Sequence, residues 1–170
     1  MCRVKSYKLL GLWLDDDLKW NTNTEYITKK ASKCLYLLKI LKKYDAPQQD
    51  LLTFYSTVIR STLEYGANVW HGNLTLEQSK DIERIQKRAI RIIHPQYEYH
   101  QALVVSNLKT LKERRDDLCV GLIKNMLQPT HRLHSLHLGK LGDIKEREIR
   151  ANGQKIYNIY VKRDVSNIVL

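Results

Sequence analysis

Only three cysteines occur in the 170 residues, and Cys2, Cys34 and Cys119 lie far apart. Such a set builds neither a disulfide framework nor a CxxC zinc pair, so a disulfide-stapled secreted scaffold is excluded and a reducing compartment is implied. No apolar run approaches the roughly 18 residues that a bilayer-spanning helix needs. The opening MCRVKSYKLLGLWL has no apolar signal core with a small-residue cleavage site. The expected location is therefore intracellular, nuclear or cytoplasmic, with no membrane partner. The chain also lacks a glycine-rich phosphate loop, a Ser-His-Asp arrangement, an internal repeat and a homopolymeric Lys/Arg tail. No catalytic residue, metal ligand or cofactor-binding residue is assigned.

Charge of one sign is plentiful. The net charge is +11 and the isoelectric point about 9.6. The excess runs through segments that also carry periodic apolar residues, so it belongs to a folded surface. Such a surface most often meets nucleic acid, less often an anionic membrane or an acidic protein.

The segment from Leu63 to Ile93 concentrates this signal. It reads as one helix end, a break, and a helix opened by a Thr75/Gln78 capping box. On a helical wheel Ile82, Ile85, Ala89, Ile92 and Ile93 share one side. Lys80, Arg84, Lys87, Arg88 and Arg91 share the other, while Asp81 and Glu83 sit near the N-terminal end, where they suit the helix dipole. A helix of this kind docks through its oily side and shows a cationic stripe to nucleic-acid phosphates. On the first helix Lys29, Lys30, Lys33, Lys39, Lys42 and Lys43 form a second group, of which Lys29, Lys33 and Lys43 cluster. Lys29 and Lys33 are taken as its backbone contacts.

The predicted fold is mainly α: a helical bundle preceded by a short N-terminal β-hairpin and followed by an irregular C-terminal tail. Three parts are expected, the hairpin over 1–20, the helical domain over 21–128 and a poorly defined tail over 129–170. Tyr7 to Leu14 reads as one strand, Asp15-Asp16-Asp17 as the turn and Leu18-Lys19-Trp20 as the return strand. Ile27, Ala31, Cys34, Leu38 and Leu41 predict one buried stripe, capped by Thr24 or Asn21 and stopped near Tyr44-Asp45. Pro47 opens a helix that runs to about Trp70, buries Leu51, Leu52, Tyr55, Val58, Ile59 and Leu63, and ends at His71-Gly72-Asn73. Gly66 inside it is read as permitting close helix approach. Pro95 closes the basic helix, and a short helix over Glu98 to Val105 follows. A second capping box, Thr110 with Glu113, starts a helix inward-facing at Leu111, Leu118, Leu122, Ile123 and Met126. Pro129 ends it. Beyond it Gly139, Gly142 and Gly153 punctuate a polar tail in which Tyr157 to Val161 suggests a strand or docked extended segment.

Other groups carry less. Tyr65, Trp70 and Trp20 have faces that stack on bases or sugars, but Trp70 and Trp20 sit among aliphatic residues at element ends, as core residues do. His131, His134 and His137 have metal-like spacing but need a fourth ligand. Cys119, beside Leu118 and Leu122, reads as a buried inert thiol. Asp15-Asp16-Asp17 and Asp116-Asp117 do not make a metal site.

Several of these segments resemble a known family. LGLWLD…LKW, KKASKCLYLLKILKK, FYSTVIRSTLEYGANVWH and IERIQKRAIRII are similar to the C-terminal part of reverse transcriptases of LINE-type (non-long-terminal-repeat) retrotransposons. The similarity rests on Leu10-Gly11, Leu14-Asp15, Trp20, Leu63 to Gly66, Val69-Trp70 and Gln86 to Ala89, with LKTLKERRDDL at Leu108 to Leu118. The chain departs from that pattern at Asn23-Thr24. The resemblance implies the end of a palm plus a thumb, gripping an RNA–DNA or DNA duplex in an RNA-directed DNA polymerase whose palm and fingers lie upstream, with Leu10 and Gly11 near the primer end. The family's aromatic-x-Asp-Asp metal turn is absent, so Mg²⁺ would belong to the full-length enzyme, and this chain alone is expected not to be an enzyme. Two alternatives stand beside it: a stand-alone basic helical nucleic-acid-binding module, and a structural bundle whose stripe meets an acidic protein.

Overall fold

The computed structural model describes residues 4–134. Cys2, His137, the tail glycines and Tyr157 to Val161 lie outside the described residues. Within them the chain is mainly helical after an N-terminal hairpin, as the periodicities predict.

The hairpin pairs β1 (Ser6–Leu9) with β2 (Leu12–Asp15), antiparallel, in the register Ser6↔Asp15 through Leu9↔Leu12. The reversal is at Leu10-Gly11 and not at the aspartates. Both turn residues have positive φ, 47° and 87°, which the two-residue hairpin turn matching strand twist requires. Leucine rarely adopts that conformation, so the sequence gives little warning. The aspartates do other work. Asp15 Oδ2 accepts from Thr22 N at 3.1 Å, supplying from β2 the N-terminal cap of α1 (Asn21–Lys43). Neither Thr24 nor Asn21 caps that helix. Thr24 is buried within its first turns, and the Asn21 side chain accepts from Gln78.

Helix α1 buries Ile27, Ala31, Leu35 and Leu38, so Leu35 replaces the expected Cys34 and Leu41 in the innermost row. The hairpin lies across its start. Trp13 meets Tyr26 edge-on at 6.3 Å, and Trp13 N donates to Asn23 Oδ1 at 3.2 Å.

After Pro47, α2 (Gln48–Phe54) widens into a π-helical turn at Tyr55–Arg60 and resumes as α3 (Ser61–Glu64). The buried row here is Leu51, Tyr55, Ile59, Leu63 and Ala67, a strict spacing of four. On a regular α-helix each such step drifts about 40° around the axis, and a wider turn absorbs part of that drift.

The helix then breaks before Trp70. Gly66 has φ +63° and starts the short α4 (Ala67–Trp70), which passes into a 3₁₀ turn at His71–Asn73. A Cβ at Gly66 would lie 2.9 Å from Leu12 Cδ1. The glycine thus permits close approach to β2, not to another helix. Gly66→Ala is expected to cost about 2 kcal/mol, combining the left-handed backbone with that clash; a denaturant midpoint equal to wild type would refute the close approach.

Helix α5 (Leu76–Ile93) packs against α1, and α6 (Tyr99–Val105) and α7 (Leu111–Met126) pack against α5. The capping boxes at Thr75/Gln78 and Thr110/Glu113 are both formed. On α7 the fully inward row is Leu111, Arg115 and Cys119, whereas Leu118 is exposed.

Candidate nucleic-acid interface

Helix α5 separates its two faces cleanly. Ile82, Ile85, Ala89, Ile90 and Ile93 are buried, and Ile92 is only half-buried. Lys80, Arg84, Lys87, Arg88 and Arg91 are all exposed on the opposite side. Arg84 pairs with Asp81 at 2.9 Å. Lys80, Lys87, Arg88 and Arg91 have no ion-pair partner among the described residues. Lys87 Nζ instead rests 5.2 Å from the ring centroid of Tyr99, a cation–π contact that leaves its charge available.

Polar side chains on the flanks of α5 hold this row in place. Gln78 donates to Lys19 O at 2.9 Å and to Asn21 Oδ1 at 2.7 Å, tying the helix start to the hairpin exit. Glu83 accepts from the Tyr99 hydroxyl and, at 3.0 Å, from Leu111 N, the first residue of α7. Gln86 donates to Tyr99 and Lys109 O and accepts from the buried Tyr55 hydroxyl. Burial and the Glu83 carboxylate push the Tyr99 phenol well above its ordinary range, so it remains a donor. Gln78, Glu83 and Gln86 are thus engaged with the hairpin exit, Tyr55, Tyr99 and the approach to α7.

A second polar cluster lies beneath α4, where sequence reasoning assigned none. Arg115 is fully buried. Its Nε donates to His71 Nδ1 at 3.2 Å, its Nη2 donates to Ser79 Oγ at 3.0 Å, and the guanidinium lies 5.9 Å from the Trp70 ring centroid. His71 Nε2 sits 2.7 Å from Asp116 Oδ1. With Nδ1 accepting and Nε2–H donating, the imidazole is neutral. Burial first, then the Arg115 and Lys112 charges, hold His71 below the usual histidine range, against the opposing pull of Asp116. His94, enclosed by Gln48 and Ser106, is lowered by burial and by Lys42.

Both histidines bind protons more readily in the unfolded chain, whose imidazoles titrate near pH 6.5. Stability is therefore complete above that pH and falls as pH drops through 6.5 toward the depressed folded values. The melting temperature is expected to decrease between about pH 7.5 and 5.5, less so in His71→Gln. A flat profile would contradict neutral, buried imidazoles.

Where α5 ends, a groove of about 580 Å³ opens, lined by Lys87, Ile90, Arg91 and Pro95 through Tyr99. Sequence reading missed this aromatic wall because Tyr97 and Tyr99 lie in and after a proline turn, outside any periodic pattern.

The structure does not bring Lys29 and Lys33 into the α5 row. They belong to the outer side of α1, whereas α1 and α5 meet through buried faces, and Lys29 is paired with Glu25. Leu10 and Gly11 form the hairpin tip, where Leu10 O accepts from the Tyr65 hydroxyl at 2.8 Å. Trp20 and Trp70 are buried in the core, and Tyr65 is exposed. Cys119 is buried, as expected, in the inward row of α7 with Leu111 and Arg115, whereas Leu118 is exposed. His134 Nδ1 lies near Met126 O, and among the described residues no group of three His, Cys, Asp or Glu side chains is placed to hold a metal. Nor is any helix among them long and apolar enough to cross a membrane.

Comparison with known proteins gives one family finding. The family described as "Alkylated DNA repair protein alkB homolog 8, N-terminal" matches residues 20–61, about a quarter of the chain. No curated protein and no solved structure matches. The match corrects the resemblance to LINE-type reverse transcriptases, because the family model that matches residues 20–61, a span that includes α1, is not a reverse-transcriptase family. The assignment as a palm end and thumb of a retrotransposon polymerase, missing its palm and fingers, falls with it. The residues quoted for it have structural duties here: Leu10-Gly11 reverses a hairpin, Asp15 caps α1, Trp20, Leu63 and Trp70 fill the core, and Gly66 takes a positive φ.

Proposed function

We propose that this chain is a helical nucleic-acid-binding module that grips the phosphate backbone with the outer side of α5. The observation that carries this reading is the row Lys80, Lys87, Arg88 and Arg91, exposed, of one sign and unneutralised among the described residues. Arg84 is a further contact once a phosphate competes with Asp81, and Lys29 and Lys33 offer a separate patch. The net charge of +11 draws a polyanion toward the whole surface. The matched family's description names a DNA-repair protein, which agrees in ligand class.

Binding through four phosphate contacts releases condensed counterions, giving a log–log salt slope of about −3.6 on duplex DNA. Affinity is then expected to fall roughly 100-fold between 50 and 200 mM salt. Fluorescence anisotropy with a labelled duplex measures this. A slope near zero would remove the phosphate-gripping account and favour an acidic protein as the partner of the row.

A further inference from the structure

Resting on that reading, we propose that the groove between the end of α5 and the start of α6 takes one unpaired nucleotide of the bound strand, its base against Tyr97 and Tyr99 and its phosphate at Lys87 and Arg91. The groove, at about 580 Å³, has the size of a small-molecule site and not of a surface dimple. It shares Lys87 and Arg91 with the cationic row, so a strand held on α5 runs into it without a gap.

Its walls fit a base better than a phosphate alone. Tyr99 is fixed by its hydroxyl contacts to Glu83 and Gln86, so its ring needs no ordering on binding. Lys87 Nζ rests 5.2 Å from the Tyr99 ring centroid, which places a cation for the phosphate beside the ring. Tyr97 is 43% exposed with its ring 5.9 Å from that of His94, a partly supported platform with a free face. Two cations stand against one acid, Glu98, whose carboxylate supplies the acceptor an exocyclic amino group seeks. A base in a continuous duplex is stacked between its neighbours and does not enter such a side groove, whereas an overhanging or single-stranded base does.

The test uses the full chain and four labelled probes: a blunt duplex, the same duplex with a short single-stranded overhang, that overhang made abasic, and the overhang strand alone. The overhang duplex is expected to bind at least about fivefold tighter than the blunt one, the advantage of a stacked base. The abasic overhang should lose the advantage. Tyr97→Ala should abolish it while leaving blunt-duplex affinity and melting temperature unchanged, and Tyr97→Trp, with a larger ring, should retain it. Equal affinity for blunt and overhang duplexes would overturn the groove while leaving the α5 row intact. An advantage that survives in the abasic probe, or a Tyr97→Ala loss equal on both duplexes, would also overturn it. Failure to bind any probe would overturn the row and the groove together.

Discussion

Replacing Arg115 by alanine is expected to lower the unfolding free energy by about 3 kcal/mol. The side chain is fully enclosed between α4, α5 and α7, and its removal empties a space beneath Trp70. It also strips His71 Nδ1 and Ser79 Oγ of a donor. Against this stands the cost of burying a guanidinium whose Nη1 has no hydrogen-bond partner, and burial depresses its basicity. The two effects separate with Arg115→Met, which keeps an unbranched apolar chain in the enclosed space and removes the charge. That variant is expected to stay within about 1.5 kcal/mol of wild type. Urea midpoints at unchanged m decide it; equal losses in both variants would mean that the charge, and not the filled volume, holds α7 to the bundle.

Arg115 also shows how far the amino-acid pattern could be read. Leu111 and Cys119 lie four residues to either side of it, so its place on the inward row of α7 was set by spacing. Its charge argued for the outside, and Leu118's hydrophobicity argued for the inside; position prevailed over residue type in both cases. The guanidinium lies 5.9 Å from the Trp70 ring centroid and finds His71 and Ser79, two partners distant in sequence that no local pattern reveals.

Elsewhere, local chemistry was sufficient. Both capping boxes, the end of α1 before Pro47 and the two-faced character of α5 follow from short-range rules and stand as predicted. The hairpin did not, because a leucine with positive φ carries no turn signature while three successive aspartates carry a strong one. The break at Tyr65-Gly66 was hidden by an unbroken apolar row, which a π-helical turn sustains where a regular helix would have lost it. The exposed cations of α5 were legible from periodicity alone. The groove beside them was not, since it is made by the proline turn that brings Tyr97 and Tyr99 back toward Lys87.

The quadruple variant Lys80→Ala, Lys87→Ala, Arg88→Ala, Arg91→Ala tests the central claim most directly. All four side chains are exposed and none carries the core, so the far-ultraviolet spectrum and melting temperature should match wild type within a few degrees. Duplex affinity at 50 mM salt should fall by about 100-fold or more, and the salt slope should shrink toward zero. Wild-type affinity with an undiminished slope in this folded variant would show that nucleic acid, if bound, is held by another surface, and the account of α5 as the gripping face would be wrong.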